Sequence, residues 1–211
     1  MLLLLTFSFA LSIAFGFLII HILKNPALNQ APSDQKISEI PPLIIGENNY
    51  WLGAANPKVT IVEFADFACP FCKTSFPSIR ELGLKYRDDV KIIFRDFPVI
   101  AEHSKNLALA ARCAGEQGLF WIMHDKLYLN QNISTDQQIK QLTKEIGANE
   151  EKFNICYDKK KYLTQIEKDY LDGQALGITG TPTWFINGQK ISGDIPFEKF
   201  DELINNILTS K

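Results

Sequence analysis

Bulk charge of one sign is missing from this chain. Against 22 Lys and Arg stand 24 Asp and Glu, a net of −2 over 211 residues. A protein held on nucleic acid by its charge is basic and neutralises several phosphates, so that class is excluded, and no nucleic-acid partner is expected. An acidic disordered tail is excluded too. Cysteine is scarce: four are too few to staple a miniprotein, and a chain this long does not need stapling. No internal repeat and no low-complexity block interrupts the sequence. Aromatic side chains, by contrast, are plentiful. With 15 Phe, 6 Tyr and 3 Trp there is material for one ordered core, and wholesale disorder is ruled out.

Residues 1–20 lack any charged side chain; His21 and Lys24 end the run. About twenty apolar residues in a helix cover roughly the 30 Å of a bilayer's hydrocarbon core. A cleaved leader has a basic start, a shorter apolar stretch and a small-residue cleavage site. The first and last are missing and the stretch is longer, so residues 1–23 read as a hydrophobic helix, signal peptide or membrane anchor, with a retained anchor fitting better. Residues 24–42 are polar, carry four prolines and show no sustained period. They read as a linker, which places the folded domain at 43–211.

Within that domain, Val59–Phe64 (VTIVEF) is a nearly continuous apolar run, as in a strand buried on both faces. A helix is predicted from Pro70 to about Arg87, with Phe76, Ile79, Leu82 and Tyr86 on one stripe, and a second strand over Val90–Phe94. These three form a βαβ unit with parallel strands. From about 101 to 176 only helical patterns occur. One of them opens at Asn132-Ile133-Ser134-Thr135-Asp136-Gln137, where Ser134 and Gln137 read as a capping box. Thr183–Ile186 and Gln189–Ser192 flank Asn187-Gly188, a strong hairpin signal. A final helix starts around Pro196, with Phe197, Phe200, Leu203, Ile204 and Ile207 on one face. The order βαβ, helical block, ββα predicts an α/β fold with an inserted helical subdomain.

The chemistry concentrates at Cys69-Pro70-Phe71-Cys72, directly after a strand and opening a helix. At a helix N-terminus, unpaired N–H groups and the macrodipole stabilise an anion, so Cys69 is expected as a reactive thiolate. Pro70 suits the first turn because its missing N–H costs nothing there. Cys72, one turn further in, is placed to attack a mixed disulfide and resolve it. Half of a zinc site has the same spacing, but Cys113 and Cys156 are isolated in helical patterns, and His103 and His124 sit in helical stretches of their own. No metal site is expected. Glu63 is an acid inside an apolar strand, which is costly unless it is protonated or paired; a solvent-facing place at a strand edge is the alternative. Pro182, in a strand-like context, lacks a ladder donor and demands a special backbone, for which a cis Thr181–Pro182 bond or a turn would serve.

VEFADFACPFCKTSFP resembles the active-site strand, motif and helix of the thioredoxin superfamily, most closely its DsbA-like thiol–disulfide oxidoreductases. Glu63, six residues before Cys69, matches that superfamily's buried acid. Pro77 matches the proline of its active-site helix, and Gly180-Thr181-Pro182-Thr183 its cis-proline loop. AARCAGEQGLFWIMHDKL and GITGTPTWFING are similar to one branch of the family. The resemblance covers residues 46–207 and implies a thioredoxin-like fold with an inserted helical subdomain. It implies Cys69 and Cys72 as a redox-active disulfide pair, with Glu63, Pro70 and Phe71 in support and Thr181 and Pro182 shaping a substrate groove. It further implies a monomer on the extracytoplasmic side, periplasmic or anchored to the outer face of the cytoplasmic membrane. Its substrates would be exported proteins with cysteines, and a membrane redox partner would recycle the protein itself. No cofactor is called for, because the cysteine pair carries the two electrons.

Two features qualify what is implied. The best-known oxidants of the family carry His between the cysteines where this chain has Phe71, and loss of the imidazole should make the disulfide less oxidising. A reductase or isomerase, or a tethered binding module with a non-catalytic motif, therefore stands beside the oxidase. Cys113 and Cys156 admit a structural bridge, two free thiols or one exposed redox site; relatives with a second pair favour the bridge.

Overall fold

The computed structural model describes residues 40–210; the hydrophobic run at 1–23 and nearly all of the linker lie outside them. Among the described residues, one five-stranded sheet has the order β1-β3-β2-β4-β5, with β1 Trp51–Gly53, β2 Val59–Ala65, β3 Val90–Asp96, β4 Thr183–Ile186 and β5 Gln189–Ser192. β2 runs parallel to β3 and antiparallel to β4; β1 and β5 pair antiparallel at the edges. Every residue of β2 is buried, because the strand lies at the centre of the sheet and both faces are covered. The edge strand β5 exposes Gln189, Lys190 and Ser192, polar side chains that discourage further pairing. The strand β1 has only three residues, too short for a periodic signal in the sequence.

The crossover helix α2, Pro70–Lys85, follows the short α1, Pro42–Ile45; both open with a proline. Ile79 and Leu82 of α2 pack with Val59, Ile61, Ile92, Trp184 and Ile186 on one sheet face, together with Phe200, Ile204 and Ile207 of the last helix. On the opposite face, Val62, Phe64, Ile93 and Phe185 pack with Ile40, Ile44 and Ile178. Ile40, assigned from sequence to the linker, is thus already part of the core, and the packed unit reaches back beyond Leu43.

The helical block consists of α3 Ser104–Gly115, α4 Phe120–Leu129, α5 Asp136–Glu145, α6 Glu150–Asp158 and α7 Leu163–Ala175. The predicted capping box at Ser134 and Gln137 is corrected by one residue. Thr135 caps α5 and Gln138 closes the box. Both frames carry a hydroxyl followed three residues later by Gln, so capping chemistry alone does not choose between them. The observed frame buries Ile139, Leu142 and Thr143, and that burial decides. After the hairpin, Asn187 and Gly188 take φ of 47° and 87°, the positive values a two-residue turn requires. The last helix, α8 Phe197–Thr209, starts directly after Pro196.

Two arginines and three aspartates lock the block to the sheet. Arg95 donates to Asp169 at 2.9 Å and to Asp172 at 2.6 Å; Arg112 pairs with Asp96 and donates to Asp169 at 2.6 Å. Arg95 also donates to the carbonyls of Leu43 and Ile44, and so holds α1 down.

Candidate active site

The pleat sets the first element of the site. Glu63 shares strand parity with Val59 and Ile61, so its side chain emerges on the sheet face that α2 covers. It lies in register with Trp184 on β4 and Phe94 on β3, and is buried, with Oε1 accepting no hydrogen bond. The solvent-facing alternative for Glu63 is therefore removed: β2 is central, and the residue is 1% exposed.

The chain leaves β2 through a tight turn at 66–69. Cys69 N–H donates to the Asp66 carbonyl at 3.0 Å, and the Asp66 carboxylate accepts from Ala68 N–H at 2.8 Å. The other Asp66 oxygen accepts from Val99 and Ile100 N–H, both at 2.7 Å, tying this turn to the one after β3. Cys69 is then the N-cap of α2, with φ −78° and ψ 122°, and Pro70 takes the first turn. Both cysteines are buried and unbonded, whereas Phe71 between them is 60% exposed.

From the other end of the chain, the loop before β4 arrives at the same place. The Thr181–Pro182 peptide is cis. The Cys69 thiol donates to the Thr181 carbonyl at 3.2 Å, across 112 residues of sequence. The Thr181 hydroxyl is buried and has no other partner, so it is free to turn to a thiolate. The Pro182 carbonyl accepts from Gly193 N–H at 2.8 Å, and Ser75 Oγ on α2 donates to Asp194 at 2.5 Å. Hairpin, proline loop and active-site helix are thus joined.

This arrangement drives the two thiols apart. Hydrogen bonding from the Cys72 thiol, working against burial and helped by Thr181 and by the N–H groups of Cys72 and Phe71, lowers Cys69 from 9.0 to about 6. Burial pushes Cys72 well above 9.0, and the charges of Glu63 and Cys69 add to it. Glu63 is raised by burial, with a contribution from Cys69, from 4.5 to about 8. One thiol is held as an anion at neutral pH, its partner as a neutral thiol, and a protonated acid lies near both. That is the asymmetry a nucleophile, a resolving thiol and a proton donor need.

Of the residues singled out from sequence, the structure gathers Cys69, Cys72, Pro70, Phe71, Glu63, Thr181 and Pro182 at one end of the sheet. Cys113 and Cys156 lie elsewhere, joined by a disulfide between α3 and α6, with Cα atoms 5.7 Å apart. His124 on α4 is wholly buried among Phe67, Phe94, Phe120 and Tyr128, where burial lowers its pKa. No group of three His, Cys, Asp or Glu among the described residues is arranged to hold a metal. Three contributors are not singled out by the sequence reading: Asp66, Ser75 and Gln131. Gln131, from the loop after α4, donates to the carbonyls of Phe67 and Cys69. Only Asp66, an acid just before the Cys69 motif, could have been noticed.

A thioredoxin family model matches residues 30–206 of the chain. The chain belongs to the thioredoxin family. Its fold is similar to that of the thiol–disulfide exchange protein α-DsbA2 from Wolbachia pipientis, at 25% identity and TM-score 0.74, covering 82% of this chain and 95% of that one. BdbD from Bacillus subtilis is similar at 28% identity and TM-score 0.67, covering 77% and 94% respectively. A periplasmic thioredoxin-like protein from Salmonella enterica serovar Typhimurium matches at 26% identity and TM-score 0.68, covering 80% and 95%. In sequence, the chain is also 29% identical over 160 residues to the Na(+)/H(+) antiporter NhaA 3 of Salinispora tropica, a match covering 75% of this chain and 24% of that protein. It spans about a quarter of the length of such curated relatives.

Proposed function

We propose that this family member is an extracytoplasmic thiol–disulfide oxidoreductase that introduces or exchanges disulfides in exported proteins. The observation that carries the proposal is the placing of Cys69 at the N-terminus of α2, 3.2 Å from the Thr181 carbonyl, with Cys72 buried beside it; the Cys72 thiol, the Thr181 loop and the helix N–H groups lower Cys69 to about 6, while burial holds Cys72 well above 9.0. In the oxidising direction, a substrate thiolate attacks Cys69 Sγ of the Cys69–Cys72 disulfide. The S–S bond breaks, and Cys72 leaves with the electron pair. The neutral Glu63 carboxyl supplies the proton that Cys72 takes up. A second substrate thiolate then attacks the substrate sulfur of the mixed disulfide and expels Cys69 as a stable thiolate. Substrate loses two electrons and the cysteine pair gains them. In the reverse direction Cys72 gives its proton to the ionised form of Glu63, attacks Cys69 Sγ of the mixed disulfide and expels the substrate thiolate.

Exposed Phe71 offers an apolar contact to unfolded chains, and Thr181 and Pro182 line the approach to Cys69. The similarity to α-DsbA2, named as a thiol–disulfide exchange protein, supports the chemistry. The Cys113–Cys156 bridge, of a kind that persists in oxidising compartments, supports the address, as does the uncharged run at 1–20. We assign the protein a membrane redox partner and a monomeric state on the same reading. Among the described residues no helix is long and apolar enough to cross a membrane. Ion transport is not part of the proposal, since the antiporter match covers only 24% of that protein. The test is oxidative refolding of a reduced, unfolded secreted protein. Catalysis that disappears in Cys69→Ser supports the proposal; catalysis that survives in full contradicts it and favours a binding module.

A further inference from the structure

Gln131 lies in the loop between α4 and α5, outside the strand, helix and proline loop that carry the cysteines. Its side-chain amide gives its hydrogen bonds to two carbonyls of the active-site turn, Phe67 O at 2.9 Å and Cys69 O at 2.7 Å. An amide NH₂ has two hydrogens, so both are spent here. The Cys69 carbonyl also accepts from Lys73 N–H at 3.1 Å, the first bond of the helix, so both its lone pairs are used.

The loop presenting Gln131 is itself fixed from both sides. Asn130 Nδ2 donates to the Lys126 carbonyl at 2.8 Å, and Ile133 N–H donates to the Asn130 carbonyl at 3.1 Å. Ile133 is buried in the cluster that contains Cys69 and Cys72, and the Thr135–Gln138 capping box follows. The 66–69 turn is therefore held from within by Asp66 and from without by Gln131. A carbonyl pinned by two donors fixes the plane of the Cys69–Pro70 peptide and the ψ of Cys69. That angle in turn sets where its sulfur stands against the N–H groups of Phe71 and Cys72.

We propose that Gln131 is a positioning residue for Cys69, through which the helical block fixes the direction of the nucleophilic sulfur at the N-terminus of α2. The inference rests on the thiol–disulfide reading above and adds a part of the fold with no cysteine of its own in the site. Without the amide, two carbonyls lose a donor and the turn loosens. The thiolate then meets its N–H groups less often, and the negative ends of the carbonyl dipoles are free to swing toward it.

The test is a spectroscopic titration of the Cys69 thiolate in the reduced full chain, with Gln131→Met, which keeps length but has no donor, and Gln131→Glu, which replaces the donor with an acceptor. Gln131→Met is expected to raise the Cys69 pKa by about half a unit to one unit, the size of a partly lost hydrogen bond from the helix N–H groups to the thiolate. Gln131→Glu is expected to raise it further, and Asn132→Ala, in the same loop, to leave it unchanged. A general loss of structure would lower the urea midpoint of the oxidised form without this ordering of pKa values. Wild-type acidity in both Gln131 variants overturns the inference and leaves the proposed function standing. A wild-type Cys69 that titrates near 9 removes the proposed function and this inference with it.

Discussion

The Cys69 thiol and the Thr181 carbonyl, 112 residues apart in sequence, meet at 3.2 Å. The Thr181 hydroxyl beside that carbonyl is buried and has no hydrogen-bond partner. Thr181→Val keeps the shape and removes that hydroxyl. The Cys69 pKa should rise from about 6 by roughly one unit, the effect of one hydrogen bond to the charged thiolate. Thiolate absorbance against pH checks this; an unchanged midpoint would mean that the helix terminus and Cys72 account for the acidity alone.

Glu63 and Cys69 give the reduced protein opposed pH dependences. Glu63 is raised in the fold to about 8, so its contribution to stability is fully present below 4.5 and is lost as pH climbs to 8. Cys69 is lowered to about 6, so its contribution is fully present above 9.0 and is lost as pH falls through 6. Together these two terms fall from pH 4.5 to 6 and cancel between 6 and 8. Glu63→Gln removes the falling term, so the stability of wild type minus that of Glu63→Gln should decline steadily between pH 4.5 and 8, with the contributions of buried Asp169 and His124 common to both curves. Urea midpoints across this range decide; a Glu63→Gln curve parallel to wild type would show that Glu63 titrates normally.

Much of this site is legible in the sequence. The CxxC spacing after a strand, the acid inside VTIVEF and the proline before a hairpin each break a local rule of their element, and rule-breaking residues mark sites. The parallel pairing of β2 with β3 followed from the βαβ unit and the β4–β5 hairpin from the Asn187-Gly188 turn, whereas the three-residue β1 and the β2–β4 pairing had no local signal. What stayed hidden depends on long-range contact. Gln131 is an ordinary loop glutamine until the fold carries it to the Cys69 carbonyl. Ile40 is one apolar residue in a polar stretch until it meets the sheet. The α5 frame was ambiguous because Ser134-Thr135 and Gln137-Gln138 offer the same chemistry twice. Only burial of Ile139 and Leu142 separates them.

Asp169 sits between Arg95 and Arg112, wholly buried. Asp169→Ala leaves two guanidinium groups without a shared counter-charge, which should cost about 3–5 kcal/mol and loosen α1 as Arg95 shifts. Asp89→Ala, which breaks an exposed pair with Lys58, should cost under about 1 kcal/mol. Chemical denaturation of both variants tests the contrast; equal losses would place the fold's stability elsewhere.

The Cys113–Cys156 bridge closes a loop across 43 positions of sequence. Replacing both residues with Ala should lower stability by up to about 4 kcal/mol through the entropy returned to the unfolded chain. The Cys69 pKa should stay where it is, since the bridge touches none of the groups that set it. A shifted Cys69 titration in the double variant would assign the second pair a part in the chemistry.

Phe71 stands where a donor to the Cys69 thiolate could stand. Phe71→His should lower the Cys69 pKa further and raise the reduction potential, making the disulfide more oxidising. Equilibration with glutathione reads the potential. A fall would mean that the apolar contact of Phe71 matters more to the pair than a nearby imidazole does.

The central claim is that Cys69 and Cys72 form a two-electron couple whose reduced form is stabilised by the Cys69 thiolate. The reduction potential of that couple, measured against glutathione with the Cys113–Cys156 bridge intact, tests it most directly. One reversible transition is expected clearly above thioredoxin's value of about −270 mV, and short of the roughly −120 mV of the strongest oxidants because Phe71 replaces the imidazole. A potential at or below about −270 mV, or a pair that does not cycle at all, would contradict it.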